Sequence, residues 1–193
     1  MLNALNQDLY LIQYRIAIKK GEIIAGQELI MELDLLINDL GNPRYYYDTT
    51  EAYKRIHFME GCIRLTKSPF YGKPMILMLW QKALIEVAYS FKMSDTDFDR
   101  FKKIILLIAR KNTKSETCSA LALCELIFGN DGSDIVCSSN DDMQANILYD
   151  AIDTMRLMID PKQQETWRNQ QMPKYSENHR QPDDFHRHPH PVD

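Results

Sequence analysis

The sequence predicts an α/β fold, in which a parallel sheet with flanking helices follows an α-helical N-terminal region. Two observations in the second half of this 193-residue chain carry the prediction. An apolar segment at 103–109 is followed by a helical pattern, and a shorter apolar segment at 134–138 is followed by another. Strands that alternate with helices are typical of parallel sheets, because parallel neighbours need a crossover between them.

Helices dominate the beginning of the chain. Residues 2–19 place leucine and isoleucine at alternating steps of three and four, and residues 27–40 resume the pattern. Gly41-Asn42-Pro43 ends the second helix. Each apolar stripe is interpreted as a face that packs in a core, with a partner-binding surface as the alternative. Residues 1–45 are therefore predicted to form an N-terminal helical region.

Two further helices are predicted at the start of the main domain, which is placed at 46–160. Asp48 and Glu51 have the spacing of a capping box, which predicts a helix from Thr49 to about Leu65. A loop rich in proline and glycine at 68–74 comes next. Another helix then begins near Trp80, a residue interpreted as a packing side chain.

The composition changes after Pro161. Residues 161–193 hold five of the eight prolines and four of the five histidines, with few aliphatic side chains. This segment is predicted to be a disordered tail, because it has too little apolar surface to offset the entropy of ordering. His186, His188 and His190 alternate within it, but a tail without fixed geometry does not predict a functional metal site.

Charge and cysteine use limit the classes of function. The net charge of −4 argues against a general polyanion binder, so any contact with nucleic acid would need a local basic patch. The four cysteines contain no CxxC pair, which argues against zinc and for free, mostly buried thiols in a reducing compartment. No signal peptide and no apolar run of bilayer length is visible, which predicts a soluble intracellular protein.

The richest chemistry lies in the turn between the apolar segment 103–109 and the next helix. This turn ends in Lys114-Ser115. A strand, a short polar turn and a helix start suit a nucleotide phosphate, because backbone N–H groups and the positive end of the helix dipole face the same anion. Lys114 is predicted to reach the β- and γ-phosphates, and the Ser115 hydroxyl to hold Mg²⁺. The alternative is a buried strand, a basic turn and a helix without a ligand.

The turn departs from the standard phosphate-loop pattern GxxxxGK[ST]. Ile108 and Thr113 stand at its two glycine positions. Glycine takes positive φ without a penalty, whereas a β-branched residue such as Thr113 would be strained there. Thr113→Gly is therefore the direct probe of whether glycine is the better residue in this loop.

Several features, in order, resemble the large subunit of tailed-phage terminases, the DNA-packaging motor. Residues 109–115, which read ARKNTKS, are similar to the family's phosphate loop, commonly RKNGKS, with Thr113 in place of the glycine. Residues 77–81, LMLWQ, resemble the family's LxxWQ element, and the preceding segment 56–74 also fits. Downstream, residues 135–145 resemble the family's second strand and the following DxQA helix start.

This resemblance, which spans roughly residues 20–160, implies a partial P-loop NTPase fold that binds ATP and Mg²⁺. The implied cofactor contacts are Gln81, Arg110, Lys111, Asn112, Thr113, Lys114, Ser115 and Glu116. Gln81 would lie near the adenine, whose edge offers a donor and an acceptor to an amide; a water-exposed residue at the helix start is the alternative. Arg110 would be the catalytic residue, acting in cis on the γ-phosphate, with a surface cation as the alternative. Ser115 would be the metal ligand.

The resemblance also implies partners and parts that the sequence does not show. The intact parent would work with the small terminase subunit, the portal protein and double-stranded viral DNA in the cytoplasm of a bacterial host. An acidic Mg²⁺-binding strand, a water-activating glutamate and a nuclease domain are missing, and Asp141-Asp142 is better explained as helix capping. Without the acidic strand, segment 103–109 is expected to have an unpaired apolar edge.

The sequence is therefore interpreted as a truncated N-terminal fragment of the packaging ATPase, from a phage or prophage, that binds ATP weakly and is inactive alone. A frameshift is the hypothesis for the unusual composition of 161–193. The alternative is a non-enzymatic interaction fragment or prophage remnant with a vestigial phosphate loop.

Overall fold

The structure is a computed structural model that describes residues 8–109, 111–132, 134–139 and 142–160. The elements below belong to one compact unit, Met1–Ile159. The helices are α1 (Tyr10–Lys19), α2 (Gln27–Asp39), α3 (Thr50–Cys62), α4 (Leu79–Ser90), α5 (Lys114–Phe128) and α6 (Asp142–Ile159). The strands β1 (Tyr45–Tyr47) and β2 (Phe91–Met93) form an antiparallel pair in which Tyr46 lies opposite Lys92.

Two apolar clusters hold these elements together. The first joins α3, α4, α5 and α6 through buried side chains that include Ile56, Ile85, Leu123 and Met155. The second joins α1 and α2 to β2, with Phe91 fully buried at its centre. The helical periodicity of the sequence therefore predicted packed faces correctly.

A buried carboxylate ties the N-terminal helices to the rest of the unit. Glu86 in α4 is fully buried and accepts hydrogen bonds from the backbone N–H groups of Tyr10 and Leu11 at 2.9 and 3.0 Å. The hydroxyls of Tyr47 and Tyr53 donate to the same carboxylate at 3.0 and 2.9 Å. A negative group at the start of α1 satisfies otherwise unpaired N–H groups and complements the helix dipole. The domain boundary at residue 45 stays a prediction.

The parallel sheet is not seen in the described part of the chain. Segments 103–109 and 134–138, both predicted to be strands, are not strands in the structure, and the paired strands within the described residues are β1 and β2. Apolar, β-branched composition favours a strand, but a strand also needs a neighbour within ladder distance. Neither segment has such a neighbour among the described residues.

The predicted capping box is also not formed. Asp48 accepts hydrogen bonds from the N–H and the hydroxyl of Thr50 at 2.9 and 2.6 Å, but the N-cap is Thr49, one residue later than predicted, and it makes no side-chain capping bond. Glu51, the expected second half of the box, instead pairs with Arg55 at 2.5 Å. An arginine one turn along the helix offers the carboxylate a charged donor, which is a stronger partner than a backbone N–H.

Several predictions concern parts of the chain that the structure does not describe. The predicted tail at 161–193 with its three histidines, and also Arg110 and Asp141, lie outside the described residues. Among the helices that are described, none has the length and apolar character required to cross a bilayer.

Candidate phosphate-binding loop

The turn before α5 has an alternating backbone conformation. Lys111 has a φ of 67° and Thr113 a φ of 55°, while Asn112 between them has no positive φ. Lys114 then begins α5. A backbone whose φ alternates in sign can turn successive N–H groups toward one anion, and the helix start adds its positive dipole end. The local geometry therefore suits a phosphate.

Thr113 adopts the strained conformation that its position requires. Its φ and ψ of 55° and 19° lie in the left-handed region, which costs a residue with a Cβ about 1–2 kcal/mol. Hydrogen bonds to this residue offset the strain. Its hydroxyl donates to the carbonyl of Asn112 at 2.8 Å and accepts from Nε2 of Gln81 at 3.0 Å. Its carbonyl accepts from both the N–H and the hydroxyl of Thr117, at 2.9 and 3.0 Å.

Gln81 connects the start of α4 to this loop. Its side chain is only 2% exposed, so the alternative of a water-exposed residue at a helix start is wrong. Its Nε2 donates to the hydroxyls of Thr113 and Thr117 at 3.0 and 2.7 Å, and its Oε1 accepts from the N–H of Met78 at 2.7 Å. The predicted adenine contact stays a prediction, and adenine would have to compete with these bonds.

Glu116 links the first turn of α5 to the loop that follows α3. The buried carboxylate accepts from the hydroxyl and the N–H of Thr66, at 2.6 and 3.3 Å. An acidic side chain in the first turn also favours the helix dipole. Glu116 was predicted as a cofactor contact, and the structure places its carboxylate against the loop that follows α3.

Lys114 and Ser115, predicted to contact the phosphates and the metal, have side chains that are free to bind a ligand. Lys114 is exposed and Ser115 half-buried. Within the described residues, neither side chain has a hydrogen-bond or ion-pair partner. A lysine, an unpaired hydroxyl and the N–H groups of one helix start fit a triphosphate with Mg²⁺, because Mg²⁺ accepts a protein hydroxyl together with phosphate oxygens.

An apolar cleft of about 720 Å³ lies beside the loop. Its walls come from α2, α4 and segment 103–109, and it reaches the loop at Asn112. Trp80, predicted as a packing residue, is half-buried in this wall and donates its Nε1 hydrogen to the sulfur of Met78 at 3.3 Å. Ile105 and Leu107, each 94% exposed, leave one side of segment 103–109 open to solvent.

The thiols of α5 are not activated for chemistry. Burial raises the pKa of Cys118, and it raises the pKa of Cys124 to about 12. A raised pKa keeps a thiol protonated and unreactive near neutral pH. All four cysteines are free, as predicted. The expectation that they are mostly buried is wrong, because only Cys124 is buried, while Cys62 is exposed and the other two are partly buried.

A comparison with known protein families covers the loop together with the helices α4 and α5. The family model "terminase large subunit, ATPase domain" matches residues 79–179, slightly more than half of the chain. The chain belongs to this terminase family. No curated protein and no solved structure matches it. The family predicted from the motifs is thereby confirmed, and the matched region starts at the first residue of α4 and contains both Gln81 and the loop.

Sequence reasoning missed two residues that organise this terminase loop. Thr117 is fully buried and bonds to both Gln81 and Thr113, and Thr66 holds Glu116. A signal for Thr117 was present, since it follows Thr113 by one helical turn and a threonine hydroxyl can bond to a carbonyl four residues earlier. Thr66 carries no comparable local signal, because its partner lies 50 residues away in the sequence.

Proposed function

We propose that the loop from Lys111 to Ser115 binds the triphosphate of ATP with Mg²⁺, as the nucleotide site of a motor that packages viral DNA into the capsid. The family match supports this proposal for the chain as a whole. The observation that carries it for the loop is the pair of left-handed residues, Lys111 and Thr113, directly before Lys114 at the start of α5. Positive φ at a residue with a Cβ costs free energy, and such residues are often found at ligand-binding sites.

The proposed roles follow from chemistry and position. Backbone N–H groups of the loop bind phosphate oxygens, Lys114 neutralises the β- and γ-phosphates, and Ser115 holds Mg²⁺. Mg²⁺ bridges phosphate oxygens and neutralises their charge. Arg110 is proposed to act on the γ-phosphate and Gln81 to lie near the adenine. In the proposed P-loop NTPase fold, segments 103–109 and 134–138 belong to a parallel sheet.

We propose nucleotide binding without rapid hydrolysis by this chain. Activation of water requires a carboxylate or amide aimed at the attacking molecule. Glu116 is the acidic side chain next to Ser115, and it is buried against Thr66. The proposed partners are the small terminase subunit, the portal protein and double-stranded viral DNA, in the cytoplasm of a bacterial host.

Thermal unfolding with and without Mg²⁺-ATP tests the binding proposal. Ligand at about 100 times its Kd stabilises a folded protein by about 2.7 kcal/mol, which corresponds to roughly 5–10 °C in Tm for a domain of this size. The shift should disappear in Lys114→Ala and persist in Lys19→Ala, a matched control that removes an exposed lysine at the end of α1. No shift in the unmodified protein, or an equal shift in Lys114→Ala, would contradict the proposal.

A specific observation favours the second candidate, an interaction fragment without nucleotide binding. Met31 and Leu35 lie one turn apart on the outer face of α2, and each is 59% exposed. Exposed apolar side chains grouped on one helix are typical of protein-binding surfaces. In this case Mg²⁺-ATP would leave the Tm unchanged, whereas substitution of Met31 and Leu35 by lysine would abolish binding to another packaging component.

A further inference from the structure

Gln81 and Thr113 were both predicted to contact the nucleotide, but in the structure their side chains are hydrogen-bonded to each other. Nε2 of Gln81 lies 3.0 Å from Oγ1 of Thr113 and 2.7 Å from Oγ1 of Thr117. We infer that these three residues form a clamp that holds the phosphate loop in its anion-binding conformation, with Gln81 as a positioning residue. This inference rests on the proposed binding of nucleotide at the loop.

The geometry of Gln81 leaves little freedom to its amide. Nε2 has two hydrogens, and each has a threonine hydroxyl as its acceptor. Oε1 accepts from the N–H of Met78, which fixes which end of the amide faces the loop. The bond between Gln81 and Thr117 is buried, so water does not compete for it, whereas the bond to Thr113 lies at the protein surface and is partly buried.

The clamp explains how threonine can stand where the motif has glycine. Glycine reaches positive φ because it lacks a Cβ, but it leaves the loop free to adopt other conformations. Thr113 reaches the same φ under strain, and its hydroxyl is held by Gln81 from α4. Because the loop conformation depends on that hydroxyl, replacement of Thr113 by glycine should weaken nucleotide binding, although the motif alone favours glycine.

The experiment compares variants that separate the hydroxyl from the shape of the side chain. Thr113→Ser keeps the hydroxyl, whereas Thr113→Val keeps the branched shape and removes it. Gln81→Met removes the amide at similar volume. We expect Thr113→Val and Gln81→Met each to raise the Kd for Mg²⁺-ATP about tenfold, and Thr113→Ser to stay within about twofold of the unmodified protein.

The double variant Gln81→Met with Thr113→Val tests whether the two residues act together. Its Kd should be close to that of either single variant, since both changes break the same contact. Two independent effects that multiply would overturn the clamp, and so would tighter binding by Thr113→Gly. Thr113→Ser also changes the side chain but keeps the hydroxyl. Normal binding by Thr113→Ser together with weak binding by Thr113→Val would therefore assign the effect to the hydroxyl and not to a general loss of structure.

Hydrogen exchange of the nucleotide-free protein keeps this inference distinct from the proposed function. The N–H of Thr117 donates to the carbonyl of Thr113 at 2.9 Å and reports on the closed loop. Its exchange should be about tenfold faster in Gln81→Met and Thr113→Val than in Thr113→Ser. Equal exchange in all variants would overturn the clamp, whether or not ATP binds, whereas failure of ATP to bind the unmodified protein would overturn the proposed function.

Discussion

The two segments that flank the phosphate loop are held very differently. On one side, α5 is fixed by Gln81 and Thr66 and packs its buried face into the core with α3 and α6. On the other side, segment 103–109 has no backbone hydrogen bonds within the described structure, and Ile105 and Leu107 are almost fully exposed. The difference indicates that the helix side, together with α4, sets the conformation of the loop.

The largest effect expected from this comparison comes from one pair of identical substitutions. Leu123 in α5 is 2% exposed and Leu107 is 94% exposed. Leu123→Ala should lower the free energy of unfolding by about 2–5 kcal/mol, because it leaves a cavity in the core. Leu107→Ala should change it by less than about 0.5 kcal/mol. Urea denaturation measures both, and similar losses in the two variants would show that segment 103–109 is packed after all.

A smaller effect is expected from pH on the anchored helix. Burial raises the pKa of Cys124 in α5 to about 12, well above the usual range of a thiol. Between about pH 9 and pH 12 the folded state keeps its thiol proton while the unfolded state releases it. The contribution of this thiol to the free energy of unfolding is therefore constant below about pH 9 and falls as the pH rises toward 12. The loss at pH 10 from this one group should be about 1 kcal/mol.

The matched variant for this titration is Cys124→Ala, which removes the thiol from the same place. It should have a lower stability at pH 7 but a flatter decline between pH 8 and pH 10, measured by urea denaturation at each pH. A decline as steep as in the unmodified protein would assign the effect to other groups.

The smallest change in stability is expected from charges on the exposed segment. Ile105→Lys with Leu107→Lys should leave the unfolding free energy within about 0.5 kcal/mol, since both side chains already face solvent. The same variant should reduce concentration-dependent association, because unpaired apolar segments promote contacts between molecules. Sedimentation at several concentrations measures this. Equal association of the variant and the unmodified protein would contradict a role of segment 103–109 in contacts between molecules.

The sequence predicted the helices well because their signal is local. Apolar residues at helical spacing marked α1 to α6, and the structure confirms that each of these helices exists. The largest difference is at α1, which was predicted at 2–19 but begins at Tyr10, with residues 2–7 outside the described part of the chain. The two strand predictions are not confirmed by the described structure, because apolar composition reports a preference for burial, whereas a strand forms only by pairing with a distant segment.

The candidate loop was predictable in part for the same reason. The order of apolar segment, polar turn and Lys114-Ser115 identified the turn, and the strain at Thr113 followed from its branched side chain. The contact that offsets this strain joins residues 32 positions apart and depends on where the fold places the start of α4 relative to the loop. No local pattern encodes such a contact, so the sequence placed Gln81 near the nucleotide without indicating its bond to Thr113.

Hydrogen exchange with and without Mg²⁺-ATP tests most directly whether the loop, held from the helix side, wraps a triphosphate. The account predicts that nucleotide slows exchange at residues 111–117, with a much smaller change at residues 103–107, and that Lys114→Ala removes the protection. Protection confined to 103–107, or no protection at 111–117 at saturating nucleotide, would contradict it.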